Sequence, residues 1–145
     1  EASYKAMRDT EGELHLDDLA PEAALRRLVE FTFDHHLHSE PYIRVVMTEN
    51  MQRGAYMAQS QSIQQLNVPA ISAIEQLYAR GVQSGCFRPG LDAIDLHASI
   101  SALSFFNVAN RHTFGLLFKR DYADPAVAAQ RRETVVQTIL RYVQA

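Results

Sequence analysis

Fifteen consecutive residues, Leu96 to Asn110, contain no Asp, Glu, Lys or Arg. At about 3.6 residues per helical turn, Leu96, Ile100, Leu103, Asn107, Asn110 and Phe114 align along one side. Ala98, Ala102, Phe105 and Ala109 align along nearly the opposite side, with Phe106 between the two sets. A surface helix buries one apolar stripe, whereas a helix apolar on two sides has to be covered twice. The chain's own core supplies one cover, and a second copy of the chain is the simplest source of the other. Small alanines let a neighbouring helix approach closely. The competing arrangement is a fully buried central helix in a monomer.

A chain of 145 residues suits one domain and is long enough to bury a real core. Lys and Arg total 14 against 17 Asp and Glu, a net charge of −3. No broad basic face follows, which argues against nucleic-acid binding by this segment itself. The single Cys86 permits no intramolecular disulfide and suits a reducing compartment. The opening EASYKAMRDTEGE is charged and has no apolar run of the kind a secretory signal needs. Gly54 to Ile74 is uncharged, but its Gln, Ser, Asn and Pro residues would be costly in lipid. A soluble cytoplasmic domain is expected, and the absence of an initiating Met suggests further residues upstream.

Gly and Pro fall between helical patterns, and no strand alternation of convincing length appears. The reading is all-α. Glu1 to Leu14 fits a helix with Tyr4, Met7 and Glu11 on one side. After a break at Asp17 to Pro21, Pro21 to His38 places Leu25, Leu28, Val29, Thr32 and His36 on one face. Ser39 is a candidate N-cap for a helix carrying Ile43, Val46, Met47 and Asn50, which loosens at Gly54. Asn67 and Pro69 open a helix carrying Ile71, Ile74, Leu77, Tyr78 and Val82, ended by Gly81 and Gly85. Asp92 is the expected cap of the central helix. Pro125 to Val143 forms the last helix, with Val135, Val136, Ile139, Leu140 and Val143 at helical spacing.

Catalytic and metal signatures are scarce. His35 and His38 share a helix face with Asp34 within reach, while His36 points elsewhere. This trio is the one candidate metal set, and a mixture of one core and two surface histidines is the preferred explanation of the cluster. No Glu has a His three residues later, which removes the di-metal carboxylate bundle. GxSxG, HExxH, Walker A and dinucleotide fingerprints are missing. No cofactor and no enzyme activity are expected. Polar residues on apolar faces say more: Asn50, Asn107, Asn110 and His36 align with core residues, and Glu49 and Arg111 sit at stripe edges. A buried unpaired amide costs about 1–3 kcal/mol. Such groups therefore bond one another or line a cavity between helices.

Gly85-Cys-Phe-Arg-Pro-Gly-Leu-Asp-Ala-Ile-Asp-Leu96 resembles the segment before the penultimate helix of TetR-family transcriptional regulators. Asp18 to Leu28 and Pro41 to Asn50 resemble the start of that family's effector domain, and the order of elements matches over essentially the whole chain. The resemblance implies a TetR-type C-terminal helical bundle for ligand binding and dimerisation, spanning 1–145. Its last two long helices, within 92–145, would form a four-helix seam across a two-fold axis. Residues 1–14 would end the helix leading to an N-terminal helix-turn-helix DNA-binding domain absent from this sequence. A homodimeric regulator, most simply a repressor, would then bind operator DNA through that missing domain only. A small-molecule effector would alter the spacing of its two reading heads.

The expected ligand-binding residues are His36, Met47, Asn50, Tyr78, Leu103, Asn107 and Asn110, with Glu49 and Arg111 at the mouth. The expected dimer residues are Ala98, Ala102, Phe105, Phe106, Ala109, Val135, Ile139 and Leu140. The alternatives are a helical enzyme or metal-binding bundle using His35, His38 and Asp34, and a structural dimerisation module with a closed core.

Overall fold

Helix starts follow local chemistry. In the computed structural model, which describes residues 5, 6, 9, 12, 14–65 and 68–145 with the side chain of Val68 excepted, Asp92 caps the penultimate long helix. Its Oδ2 accepts from the Asp95 amide at 3.0 Å, and Asp124 does the same for Val127 at 3.2 Å ahead of the last helix. Pro21 and Pro125 each occupy the first turn of their helices, where a missing N–H costs nothing. The helices are α1 (Pro21–His38), α2 (Glu40–Met51), α3 (Gln61–Gln65), α4 (Val68–Ser84), α5 (Ala93–Ala109), α6 (Arg111–Phe118) and α7 (Pro125–Val143). Short 3-10 turns cover Leu16–Asp18 and Met57–Gln59. Among the described residues there is no strand, and an isolated bridge joins Phe87 to Gln144. The chain is all-α, as its periodicity indicates.

The first helix lies at the centre. It packs against α4, α5 and α7 through Leu25, Leu28, Val29 and Phe33. These side chains meet Ile74 and Leu77 of α4, Leu96 and Ile100 of α5, and Val135, Val136, Ile139 and Val143 of α7. Burying apolar area of this kind is the main stabilising term, at about 25 cal/mol per Å². Charges brace the α1–α7 contact on its outer edge. Arg132 grips Asp34 with two 2.8 Å bonds and reaches Glu30 at 3.1 Å, while Arg26 pairs with Glu133 at 2.9 Å.

Several local expectations change in the folded chain. Ser39 holds the N-cap position of α2, but its side chain makes no capping bond. Gly81 does not end α4: it is buried inside the helix, and a Cβ there would overlap the Phe87 ring. Gly85 ends it, at φ +84°, a conformation open to glycine at little cost. The side running from Leu96 to Phe114 is not one continuous helix: it breaks at Asn110, where α5 ends and α6 begins. Lys5, Ala6, Asp9 and Gly12 are helical, whereas the expected face of Tyr4, Met7 and Glu11 lies outside the described residues, as does Asn67.

Two polar clamps hold the connections. Arg80 of α4 donates to the carbonyls of Leu19 at 2.9 Å and Leu16 at 3.1 Å, fixing the turn ahead of α1. The Tyr78 hydroxyl donates to the Arg88 carbonyl and accepts from the Leu91 amide at 3.0 Å, which closes the connector between α4 and α5. The C-terminal residues are tied to the same connector by Arg88 N to Val143 O at 2.8 Å and Ala145 N to Cys86 O at 3.1 Å.

Candidate functional site

Three helices converge on a cavity of about 290 Å³. α1 contributes His36, α2 contributes Tyr42, Val46 and Asn50, and α5 contributes His97, Ser101, Ala102 and Phe105. Spacing explains the two latter sets. Tyr42, Val46 and Asn50 succeed one another at i, i+4, i+8 on one side of α2, and His97, Ser101 and Phe105 do so on α5. His36 sits in the last turn of α1, just before α2 turns back at Ser39.

His36 is 4% exposed. Its Nδ1 lies 2.6 Å from the Thr32 carbonyl, and a carbonyl only accepts, so Nδ1 carries the proton and donates. Thr32 in turn donates through Oγ1 to the Leu28 carbonyl at 2.9 Å. The imidazole is thereby held in one orientation by its own helix. Its ring stands edge-on to Tyr42 (centroids 5.9 Å apart, planes at 64°) and to Phe105 (6.2 Å, 81°). Perpendicular packing at these separations is favourable for aromatic rings and leaves flat walls around the space. No Asp, Glu, Lys or Arg belongs to the lining. The Asn50 side chain donates from Nδ2 to the Val46 carbonyl at 2.9 Å, which anchors its amide at the rim.

The expected ligand-binding residues therefore separate. His36 and Asn50 come together in this cavity. Asn107 does not join them: it is 1% exposed, and its amide bonds Arg131, Leu103 and Ser104. Tyr78 is engaged in the α4–α5 connector. Leu103 packs against the core, Met47 is exposed, and Asn110 is an exposed residue between α5 and α6. Arg111 forms a 2.6 Å ion pair with Glu40 beside a different hollow, bounded by Phe33, Leu37 and Ala128. Glu49 borders a second cavity of about 420 Å³ on the outer side of α2, with Arg44, Tyr56, Met57 and Ile63. Its Oε1 accepts from the Met57 amide at 2.7 Å, so that carboxylate braces the turn after α2.

Tyr42, Val46, His97 and Ser101 were not among the expected ligand residues. The i, i+4 pairing of His97 with Ser101 inside an otherwise apolar stretch was the available signal. Ala102 and Phe105, expected at a dimer seam, line the cavity. Ala98 and Ala102 are exposed, Phe106 is 39% exposed, and Phe105 and Ala109 are half-buried. Val135 and Ile139, at 0% and 2% exposure, belong to the core of the single chain and have no surface to offer a partner. Leu140 packs partly against that core.

The metal set does not assemble. Both carboxylate oxygens of Asp34 are engaged by Arg132, and the His35 ring packs on Phe31 and Tyr42. Among the described residues no group of three or more metal-ligating side chains converges. Among the described residues no helix is long and apolar enough to cross a membrane.

Comparison with known proteins finds similarity over most of the chain. The family described as tetracyclin repressor-like, C-terminal domain, matches residues 21–139. The HTH-type transcriptional repressor NicS of Pseudomonas putida is 30% identical over 126 residues, covering 87% of this chain. The matched region is 59% of that repressor's length.

Proposed function

Because this chain belongs to the tetracyclin repressor-like C-terminal domain family, we propose that it senses a small molecule in the α1–α2–α5 cavity and passes the signal to an operator-binding domain. Membership places the chain among transcription regulators and not among enzymes. The observation that carries the reading is the convergence of His36, Asn50, Ser101 and His97 from three helices around aromatic walls. Ligand cavities combine an apolar lining with a few convergent polar groups in this way. A closed structural module has no use for such a space.

Effector binding reaches DNA through helix position. Arg80 links α4 to the turn that precedes α1, the turn that follows residues 1–14 in the chain. A ligand that favours one arrangement of α1, α2 and α5 shifts the population towards it. Couplings of this kind amount to about 1–3 kcal/mol, or about 5–150-fold in DNA affinity.

The same domain dimerises. Ile94, Ala98, Ala102 and Phe106 recur every four residues along the outer side of α5, with Ile94 60% and Phe106 39% exposed. Leu116, Leu117 and Phe118 of α6 are 74%, 73% and 65% exposed. An apolar surface this continuous favours a partner, and the partner that fits a two-fold seam is a second copy.

Screening small molecules by thermal shift tests the sensing role. A hit is expected to raise the melting temperature of the wild type and to lose its effect in Ser101→Phe, which fills the cavity. A hit unaffected by that substitution would move the site elsewhere.

A further inference from the structure

We infer that the α1–α2–α5 cavity is completed by a second copy of the chain, whose α5 covers its mouth. The inference rests on two readings above, the cavity as the effector site and the apolar stripe of α5 as the seam. Exposure locates the mouth. Of the lining residues only Asn50 and Ala102 are exposed; His36 is buried and the rest are half-buried. The opening therefore runs between the Asn50 edge of α2 and the Ala102 edge of α5. Ala102 belongs equally to the outward stripe of Ile94, Ala98, Ala102 and Phe106. One residue is thus both the rim of the cavity and a member of the seam.

Side-chain size indicates how a second copy sits. The stripe runs large, small, small, large, and reads the same from either end. A two-fold interface brings one patch against itself, and a pattern of this symmetry meets that condition. Helices packed at an angle are closest where they cross and separate on either side. The two alanines suit the crossing, and Ile94 and Phe106 fill the widening ends. A helix with its side chains is about 10–12 Å across, so one laid over Ala98 and Ala102 extends about 5–6 Å to each side of its axis. At about 100° per residue, Phe105 and Ser101 of the cavity wall lie within about 60° of Ala98 around α5, on the side that faces the mouth. A second copy seated on the stripe therefore overhangs the opening. A ligand enclosed by both chains binds the dimer more tightly than the single chain, and by the same factor it tightens the dimer.

Closure is readable without a ligand, from a thiol placed in the cavity. Cys86 is the single cysteine, so Ser101→Cys in a Cys86→Ser background leaves one thiol, close in size to the serine it replaces. Its reaction with the uncharged reagent 4,4′-dithiodipyridine is followed in this chain and in the same chain carrying Ile94→Glu or Ala98→Glu. Sedimentation velocity reports the assembly of each, and circular dichroism the fold. A thiol under an interface reacts only when the interface opens, so position 101 is expected to react about tenfold or more slowly in the dimer than in either folded monomer. Thr48→Cys in the same background, exposed on the outer side of α2, is expected to react alike in all three. Equal rates at position 101 in the dimer and the monomers overturn closure and leave the seam standing. A parent chain that sediments as a monomer at micromolar concentration, or a dimer that survives both Glu substitutions, overturns the seam on this stripe and closure with it. The effector reading fails separately, through the ligand-induced thermal shift and its response to Ser101→Phe.

Discussion

The Nε–H of Arg131 donates to Oδ1 of Asn107 across 2.9 Å, joining α7 to α5 inside the helix layer. The Asn107 amide nitrogen also reaches the Leu103 carbonyl at 2.6 Å and the Ser104 carbonyl at 3.4 Å, so both ends of the amide are occupied. A polar residue at the heart of an apolar face is thereby satisfied by a partner 24 residues away. Its role is architectural.

Removing that amide strands the guanidinium. Asn107→Leu is expected to lower stability by about 1–3 kcal/mol, the cost of leaving a part-buried polar group unpaired. Asn107→Leu combined with Arg131→Leu should recover part of the loss, because no partner is left stranded. Urea unfolding of the three variants checks the pattern, and ligands of the α1–α2–α5 cavity should bind the folded single variant as they bind the wild type.

Acid stability depends on the α1–α7 brace. The Arg26 guanidinium, followed by the Gln137 amide, holds the Glu133 carboxyl down to about 2 from its ordinary 4.5. A carboxyl with a depressed folded value contributes stability above its unfolded value and loses it as pH falls through the folded one. Arg26→Met should therefore weaken the chain at neutral pH, with the gap to the wild type closing between about pH 4.5 and 2. Urea midpoints measured across that range would show a constant gap if the brace contributed nothing.

Gly81 sits in α4 with no room for a side chain, since an added Cβ overlaps the Phe87 ring. Phe87 cannot retreat easily: it is 3% exposed and stacked on Tyr78. Gly81→Ala is expected to destabilise by about 1–3 kcal/mol through overpacking, despite the better helix propensity of alanine. A smaller residue at 87, as in Gly81→Ala with Phe87→Leu, should relieve part of it. Thermal unfolding gives the comparison.

Core and seam respond differently to mutation. Ile139→Ala should cost about 2–5 kcal/mol of folding stability, because Ile139 is buried within one chain. Ala98→Glu, on the exposed side of α5, should leave the fold intact and convert a dimer to a monomer in sedimentation velocity. A wild type that sediments as a monomer at micromolar concentration would remove the dimer reading.

Most of the architecture was legible because its signals are local. Asp92, Pro21 and Pro125 mark helix starts through contacts no more than a turn away, and Gly85 marks an end through its own backbone angle. The apolar spacing of Leu25, Leu28 and Val29, or of Val135, Val136 and Ile139, identifies a buried face whatever covers it. Gly81 was misjudged as a helix end because its reason, the Phe87 ring, lies beyond the helix itself.

The polar residues on those faces were a different matter. Periodicity marks a residue as inward but does not name its partner. His36, Asn50, Tyr78 and Asn107 looked alike in sequence, yet two border a cavity, one closes a connector and one bonds Arg131. The apolar residues divided in the same way, with Val135 and Ile139 absorbed into the chain's own core, Ala98 left facing outward and Ala102 at the exposed rim of the cavity. Helix identity was thus settled by residues within a turn of one another. Site membership was settled by which helices cross, because hydrogen bonds and close packing act over a few ångströms in space and take no account of distance along the chain.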